Sequence, residues 1–181
     1  EEASSVFHRL TAQGLFLCGR GRPDIETAIT FLTTRVRRPD KDDWGKLTRM
    51  MRYLQRTKGL ARTLEADKTL IIKWYIDGAH AVHHDMHGHT GSAMTLGKGA
   101  AYSSSSKQKI NMMSWTETEL IAVNDKMGQI LWTKYFLEAQ GYDTPTVLIQ
   151  DNKSIMLLER HGRASGSKRT RHINIRYFFV T

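Results

Sequence analysis

Apolar positions change their period near residue 70, dividing the sequence into a helical first part and a mixed second part. Over residues 5–57 they recur at helical spacing. The run VFHRLTAQGLFLCGRGRPDIETAITFLTTRV is broken near Gly19, Gly21 and Pro23, and Pro23 followed by Asp24 and Glu26 marks a helix start. RRPDKDDWGKLTRMMRYLQRTKG repeats the scheme. Pro39 with Asp40, Asp42 and Asp43 opens a helix, Trp44, Leu47, Met50, Met51 and Leu54 form its apolar stripe, and Gly59 stops it.

From Leu70 the character is different. LIIKWYID reads as a strand that delivers Asp77 to its end. A polar turn rich in His and Gly follows over residues 83–91. SAMTLGKGAAYSSSS then reads as two short strands around GKG, a hairpin signal. SWTETELIAVNDKMGQILWTKYFLEAQG predicts a long amphipathic helix, with Leu120, Val123, Met127, Ile130 and Leu131 on one side and Gly141 closing it. TVLIQD is a short buried strand ending on Asp151, NKSIMLLERHG a second helix, and RTRHINIRYFF a third, with a loop at GRASGSK between them. Antiparallel strands followed by a helical crossover into another strand predict an α/β fold, a mixed sheet with helices packed on it. The expected organisation is a helical unit over residues 1–66 and an α/β domain over residues 67–181.

Composition narrows the function classes. The chain has 181 residues and a net charge of +9, which favours an anionic partner, nucleic acid first. No apolar run approaches the roughly 18 residues of a membrane span, so no membrane partner is expected, and EEASSVFHRL does not read as a signal peptide. The single cysteine, Cys18, forms no internal disulfide, fits a reducing compartment, and reads as a small buried hydrophobe. Between Arg160 and Arg176 lie Arg160, Arg163, Lys168, Arg169, Arg171 and Arg176 with no acid among them. That run is either a solvated face or a patch that contacts phosphates.

Three carboxylates come from three elements: Asp77 from the first strand, Glu119 from the start of the long helix, and Asp151 from the later strand. Carboxylates at the ends of neighbouring strands can lie close, and a helix crossing the sheet can add a third. Such a cluster repels itself unless hard cations neutralise it, and magnesium prefers oxygen ligands. Two metals roughly 3.5–4 Å apart can clamp the attacking and leaving oxygens of a phosphodiester displacement. Each residue also has a structural alternative. Asp77 could form a turn, Asp151 or Asn152 could cap the next helix, and Glu119 could close a capping box with Thr116. Ser114 with Glu117 fits the same box earlier and would leave Glu119 free to face the sheet.

YIDGA, TELIAV and IQDNKS resemble, in that order, the three motifs of ribonuclease H. The resemblance is to the ribonuclease H domain of copia-type retrotransposon polyproteins, which HTGSAMTLGKGAAYSSSSKQKINMMSWTETELIAV and KRTRHINIRYFF follow. RPDIETAITFLTTRV and DDWGKLTRMMRYLQRTKG look like the thumb and connection region that ends the reverse transcriptase. The resemblance implies a ribonuclease H-like fold and cleavage of the RNA strand of RNA–DNA hybrids. It implies two Mg2+ ions, or Mn2+, held by Asp77, Glu119 and Asp151, with Glu117 the alternative second ligand. The remaining implied partner is the rest of the polyprotein, its polymerase domain included, and the implied setting is a cytoplasmic virus-like particle or the nucleus. Arg163, Lys168, Arg169, Arg171 and Arg176 would hold the nucleic-acid backbone. The family's fourth carboxylate, an Asp on a helix after the fifth strand, has no counterpart after Asp151, so the domain is expected to be truncated at its C-terminus. Trp115 stands where the family carries a small polar residue. The polymerase's own aspartates are expected upstream, so no polymerase activity is expected.

HAVHHDMHGH holds five histidines, His80, His83, His84, His87 and His89, with Asp85. His83 and His87 could bind zinc if that stretch were helical, but Gly88 and the turn signals favour a polar loop. The rivals are therefore a hybrid-specific endoribonuclease, an inactive nucleic-acid-binding remnant of a decayed element, and a zinc module. A related integrase would show its Glu last, where Glu159 is available, but the DGA and TEL contexts fit ribonuclease H.

Overall fold

The computed structural model describes residues 2–151, which form two compact units that meet at Thr63 and Leu64. Arg163, Lys168, Arg169, Arg171, Arg176 and Glu159 lie outside the described residues, as do the two helices expected after Asp151.

The first unit is helical: α1 (Glu2–Arg20), a 3-10 turn (Pro23–Ile25), α2 (Glu26–Thr33) and α3 (Lys41–Arg56). The acids after Pro39 cap α3. The Asp43 N–H donates to the Asp40 carboxylate at 2.8 Å and the Asp40 N–H donates to the Asp43 carboxylate at 3.0 Å, a reciprocal box. Phe7, Cys18, Ile25, Ile29, Leu32, Leu47 and Met50 make the core, with Trp44 edge-on to Phe7. Burial, then the charges of Glu26 and Asp24, pushes the Cys18 thiol up to about 11, so it packs as a hydrophobe. Met51, expected in the stripe, is exposed because it sits about 100° round the helix from the buried Met50.

The second unit carries β1 (Glu65–Ala66), β2 (Ile72–Ala79), β3 (His89–Thr95), β4 (Gly97–Lys98), β5 (Tyr102–Lys107), α4 (Trp115–Ala139) and β6 (Thr146–Ile149). The main sheet has the order β5-β3-β2-β6 among the described residues. β3 runs antiparallel to β2 and to β5, and β6 runs parallel to β2 with Tyr75 opposite Ile149. α4 carries the chain from β5 back to β6. This is the α/β, ribonuclease H-like mixed sheet that the motif order implied. β1 and β4 form a small separate ribbon, too short to leave a periodic signal.

The alternation along β2 is regular. Ile72, Trp74, Ile76 and Gly78 are buried while Tyr75 and Asp77 are exposed. The buried set meets Met94, Ala122, Val123 and Ile130 in the second core, with Met127 and Leu148 packed on it. Leu131 is exposed rather than part of that stripe. α4 stops where Gly141 adopts a φ of +87°, a left-handed value glycine takes without strain.

Two strand boundaries differ from the sequence reading. β2 does not end on Asp77 but continues to Ala79, because Gly91, Thr90 and His89 of β3 keep pairing with it. For the same reason β3 starts at His89, inside the stretch expected as turn. β6 ends at Ile149, so Asp151 lies two residues beyond the strand.

Candidate metal centre

The close approach of α4 to β2 builds the site. A Cβ placed on Gly78 would stand 2.9 Å from the Thr118 carbonyl oxygen and 3.2 Å from the Glu119 Cα. Only glycine admits the helix backbone at that distance. Gln108, buried just after β5, anchors the same turn. Its Nε2 donates to the Thr118 carbonyl at 2.9 Å and to the Thr90 hydroxyl at 3.1 Å. Gln108 and Gly78 carry no charge and no periodic signature, and the sequence reading assigned them no part in the site.

Capping then decides which acid is available. Ser114 is the N-cap of α4 and accepts from the Glu117 N–H at 3.3 Å. The Glu117 carboxylate turns back to accept from the Met113 N–H at 2.8 Å. Of the two boxes open in the sequence, the Ser114–Glu117 alternative is the one formed, with its return bond one residue earlier than the standard box. Glu117 is thereby committed to the helix cap and Glu119 is not.

One oxygen from each of Asp77, Glu119 and Asp151 lies within 4.8 Å of the others. Asp77 and Asp151 are exposed, whereas Glu119 is 7 % exposed. At an effective dielectric of about 20, two ionised carboxylates at that spacing repel by about 3 kcal/mol per pair. The Glu119 Oε2 is fully buried and has no hydrogen-bond partner. Burial first, then the Asp77 and Asp151 charges, pushes the Glu119 carboxyl up to about 7, while the Gly78 backbone N–H opposes the shift. A buried glutamate with one unpartnered oxygen, grouped with two further carboxylates, is a donor set that a hard divalent cation would suit. Nitrogen and sulfur donors are absent from it, so the chemistry of the trio fits magnesium or manganese better than zinc.

The histidines disperse instead of converging. His83 Nε2 and His89 Nδ1 share a 3.0 Å hydrogen bond, and His89 Nε2 meets the Ser105 hydroxyl at 2.6 Å. His87 pairs with Asp85, which also receives Lys107. His80 Nδ1 meets the Thr118 hydroxyl at 2.8 Å. No helix spans this stretch, and among the described residues the carboxylate trio is the only group of three or more such side chains placed to hold a metal ion. The zinc alternative is therefore not supported by the geometry. His83 and His89 serve as buried links between the loop and β5, and burial drives the His89 imidazole down to about 4.

Comparison with known proteins gives relatives along most of the chain. It is 30 % identical over 161 residues to the retrovirus-related Pol polyprotein from transposon TNT 1-94 of Nicotiana tabacum, covering 88 % of this chain and 12 % of that protein. It is 30 % identical over 162 residues to the retrovirus-related Pol polyprotein from transposon RE2 of Arabidopsis thaliana, covering 88 % and 11 %. A transposon Ty5-1 protein of Saccharomyces cerevisiae is 29 % identical over 126 residues, covering 68 % and 41 %. The chain thus spans a small part of the length of these two Pol polyproteins. No family profile and no solved structure matches it.

Proposed function

Because the chain belongs with the Pol polyproteins of copia-type retrotransposons, we propose that its second unit is the ribonuclease H part of such a polyprotein, hydrolysing the RNA strand of RNA–DNA hybrids. The observation that carries this reading is the convergence of Asp77, Glu119 and Asp151, from β2, α4 and the segment after β6, with their oxygens within 4.8 Å. These three side chains would hold Mg2+, or Mn2+, and two such ions when bound neutralise charge on the attacking and leaving oxygens of a phosphodiester.

The protein's own contribution is positioning. Glu119 is fixed by burial and by the packing of α4 on Gly78, so one ligand oxygen is preorganised. Asp77 and Asp151 are exposed, and they present their carboxylates to solvent where a backbone phosphate can approach. With no cation present, the Glu119 carboxyl holds a proton up to about pH 7, which relieves part of the repulsion. The +9 charge of the chain supplies long-range attraction for the polyanion. The basic residues Arg163, Lys168, Arg169, Arg171 and Arg176 are the proposed backbone contacts, and the remaining Pol polyprotein is the proposed partner. Discrimination of RNA from DNA would rest on the 2′-hydroxyl and groove shape.

The test is cleavage of an end-labelled RNA–DNA hybrid by the purified chain with magnesium, beside an all-DNA duplex and the Asp77→Asn variant. The expected result is cutting of the RNA strand alone by the parent chain, falling by at least about a hundredfold in the variant. Binding of the hybrid by both proteins with no cut in either would replace this reading with that of a nucleic-acid-binding remnant.

A further inference from the structure

Trp115, the first residue of α4, is one helical turn before Glu119 and so lies on the same side of the helix. Its side chain is 64 % exposed. Its ring packs against His80 with centroids 5.3 Å apart and planes inclined at 49°. The imidazole is itself fixed. The Thr118 hydroxyl donates to the Ser114 carbonyl at 3.1 Å, so it accepts from His80 Nδ1–H at 2.8 Å. A half-buried, hydrogen-bonded ring thus backs a mostly exposed indole one helical turn before the Glu119 of the trio.

The electrostatics make a neutral contact useful at that place. Three acids repel the phosphates that must come near them, so affinity close to the trio has to come from cations or from groups without charge. An exposed indole offers a flat π-surface, which matches the face of a nucleobase. Within a duplex those faces are already stacked on neighbours. They are free at an unpaired overhang, a junction or a splayed nucleotide. We propose that Trp115, backed by His80, is a stacking platform for an unpaired nucleobase of the strand held at the carboxylate trio, and that it biases this site toward single-stranded overhangs and junctions of a hybrid. The inference rests on the reading above for its ligand being nucleic acid, and it adds two positioning residues to the trio.

The experiment uses the Asp77→Asn chain, in which turnover is expected to stop, and fluorescence anisotropy with a labelled RNA–DNA hybrid that is either blunt or carries a single-stranded RNA overhang. The overhang hybrid is expected to bind more tightly than the blunt one. Adding Trp115→Ala should weaken the overhang complex about 5- to 100-fold, the range for losing one base stack, and leave the blunt complex unchanged. Trp115→Phe should retain most of the preference. An overhang of abasic nucleotides should behave as the blunt hybrid does and be indifferent to Trp115→Ala. Equal binding of blunt and overhang hybrids, equal losses on both with Trp115→Ala, or no hybrid binding at all overturns the platform. The two readings fail separately. Overhang preference that depends on Trp115, in a parent chain that cuts no hybrid, keeps the platform and ends the nuclease reading. Cutting that is indifferent to Trp115→Ala and to overhangs does the reverse.

Discussion

Glu119→Gln tests the electrostatics of the site in the absence of any substrate. In the metal-free protein the Glu119 carboxyl is held at about 7 against an ordinary value of 4.5. Between those values the folded chain keeps a proton that the unfolded chain has released. Stability contributed by this group therefore falls as pH rises through the window and levels off above about 7. Complete ionisation costs about 3 kcal/mol by this reckoning. Glutamine removes that cost but leaves a buried amide without a full set of partners, worth about 1–3 kcal/mol the other way. The variant should thus be less stable than the parent at pH 4.5, where Glu119 is largely protonated, and equal or more stable at pH 8, a crossover of about 3 kcal/mol. For a chain of this size that is a relative shift in Tm of about 6–12 °C. The assay is thermal unfolding followed by circular dichroism in EDTA across that pH range, read at the transition carrying the β-sheet signal. Adding magnesium at about ten times its dissociation constant should then stabilise the parent by about 1.4 kcal/mol and the variant by much less. A difference between the two proteins that stays constant with pH, or equal stabilisation of both by magnesium, refutes the reasoning.

Two further outcomes follow from the same geometry. Gly78→Ala places a methyl 2.9 Å from the Thr118 carbonyl oxygen, so it should destabilise the second unit by about 1–3 kcal/mol and weaken magnesium binding, measured by urea unfolding and by isothermal titration; unchanged magnesium affinity would show that the approach of α4 does not set the site. His89 is held at about 4 against an ordinary 6.5, so its contribution to stability is present above pH 6.5 and is lost as pH falls toward 4; His89→Asn should lower stability at pH 7 yet show a shallower acid slope in urea midpoints, and an unaltered slope would remove the buried imidazole from the account.

The order of elements in the second unit was legible because each has a strong local signature. β2 is a dense run of β-branched and aromatic residues, the β3–β5 hairpin is marked by GKG, and α4 carries a long apolar stripe ended by Gly141. The choice of Glu119 over Glu117 was also within reach, since the Ser114 cap competes for Glu117. Features that depend on pairing between distant segments were not legible. Where β2 stops depends on how far β3 follows it, and Asp77 alone carries no information about that. The polar loop expected in place of a zinc site was legible from Gly88 and the turn signals, but the partner of His89 was not, because His89 meets Ser105 only once β5 is paired with β3. Gln108 gave no sign because its role lies in the Thr118 carbonyl and the Thr90 hydroxyl, ten and eighteen residues away along the chain.

These hidden contacts bear on the site more directly than the visible motifs do. The three acids become a cluster only if α4 reaches the sheet, and that approach is controlled by a missing side chain at Gly78 and by one amide at Gln108. The burial that the approach imposes on Glu119 is also what orphans its Oε2 and raises its carboxyl. Tight packing and unfavourable charge are therefore one feature of this fold, not two. A chain that relaxed the packing would lower the repulsion and lose the preorganised oxygen together. Above about pH 7, changing the charge at Glu119 should then lower cation affinity without lowering stability, whereas changing the contact at Gly78 should lower both. That contrast separates an electrostatic origin of the site from a purely steric one.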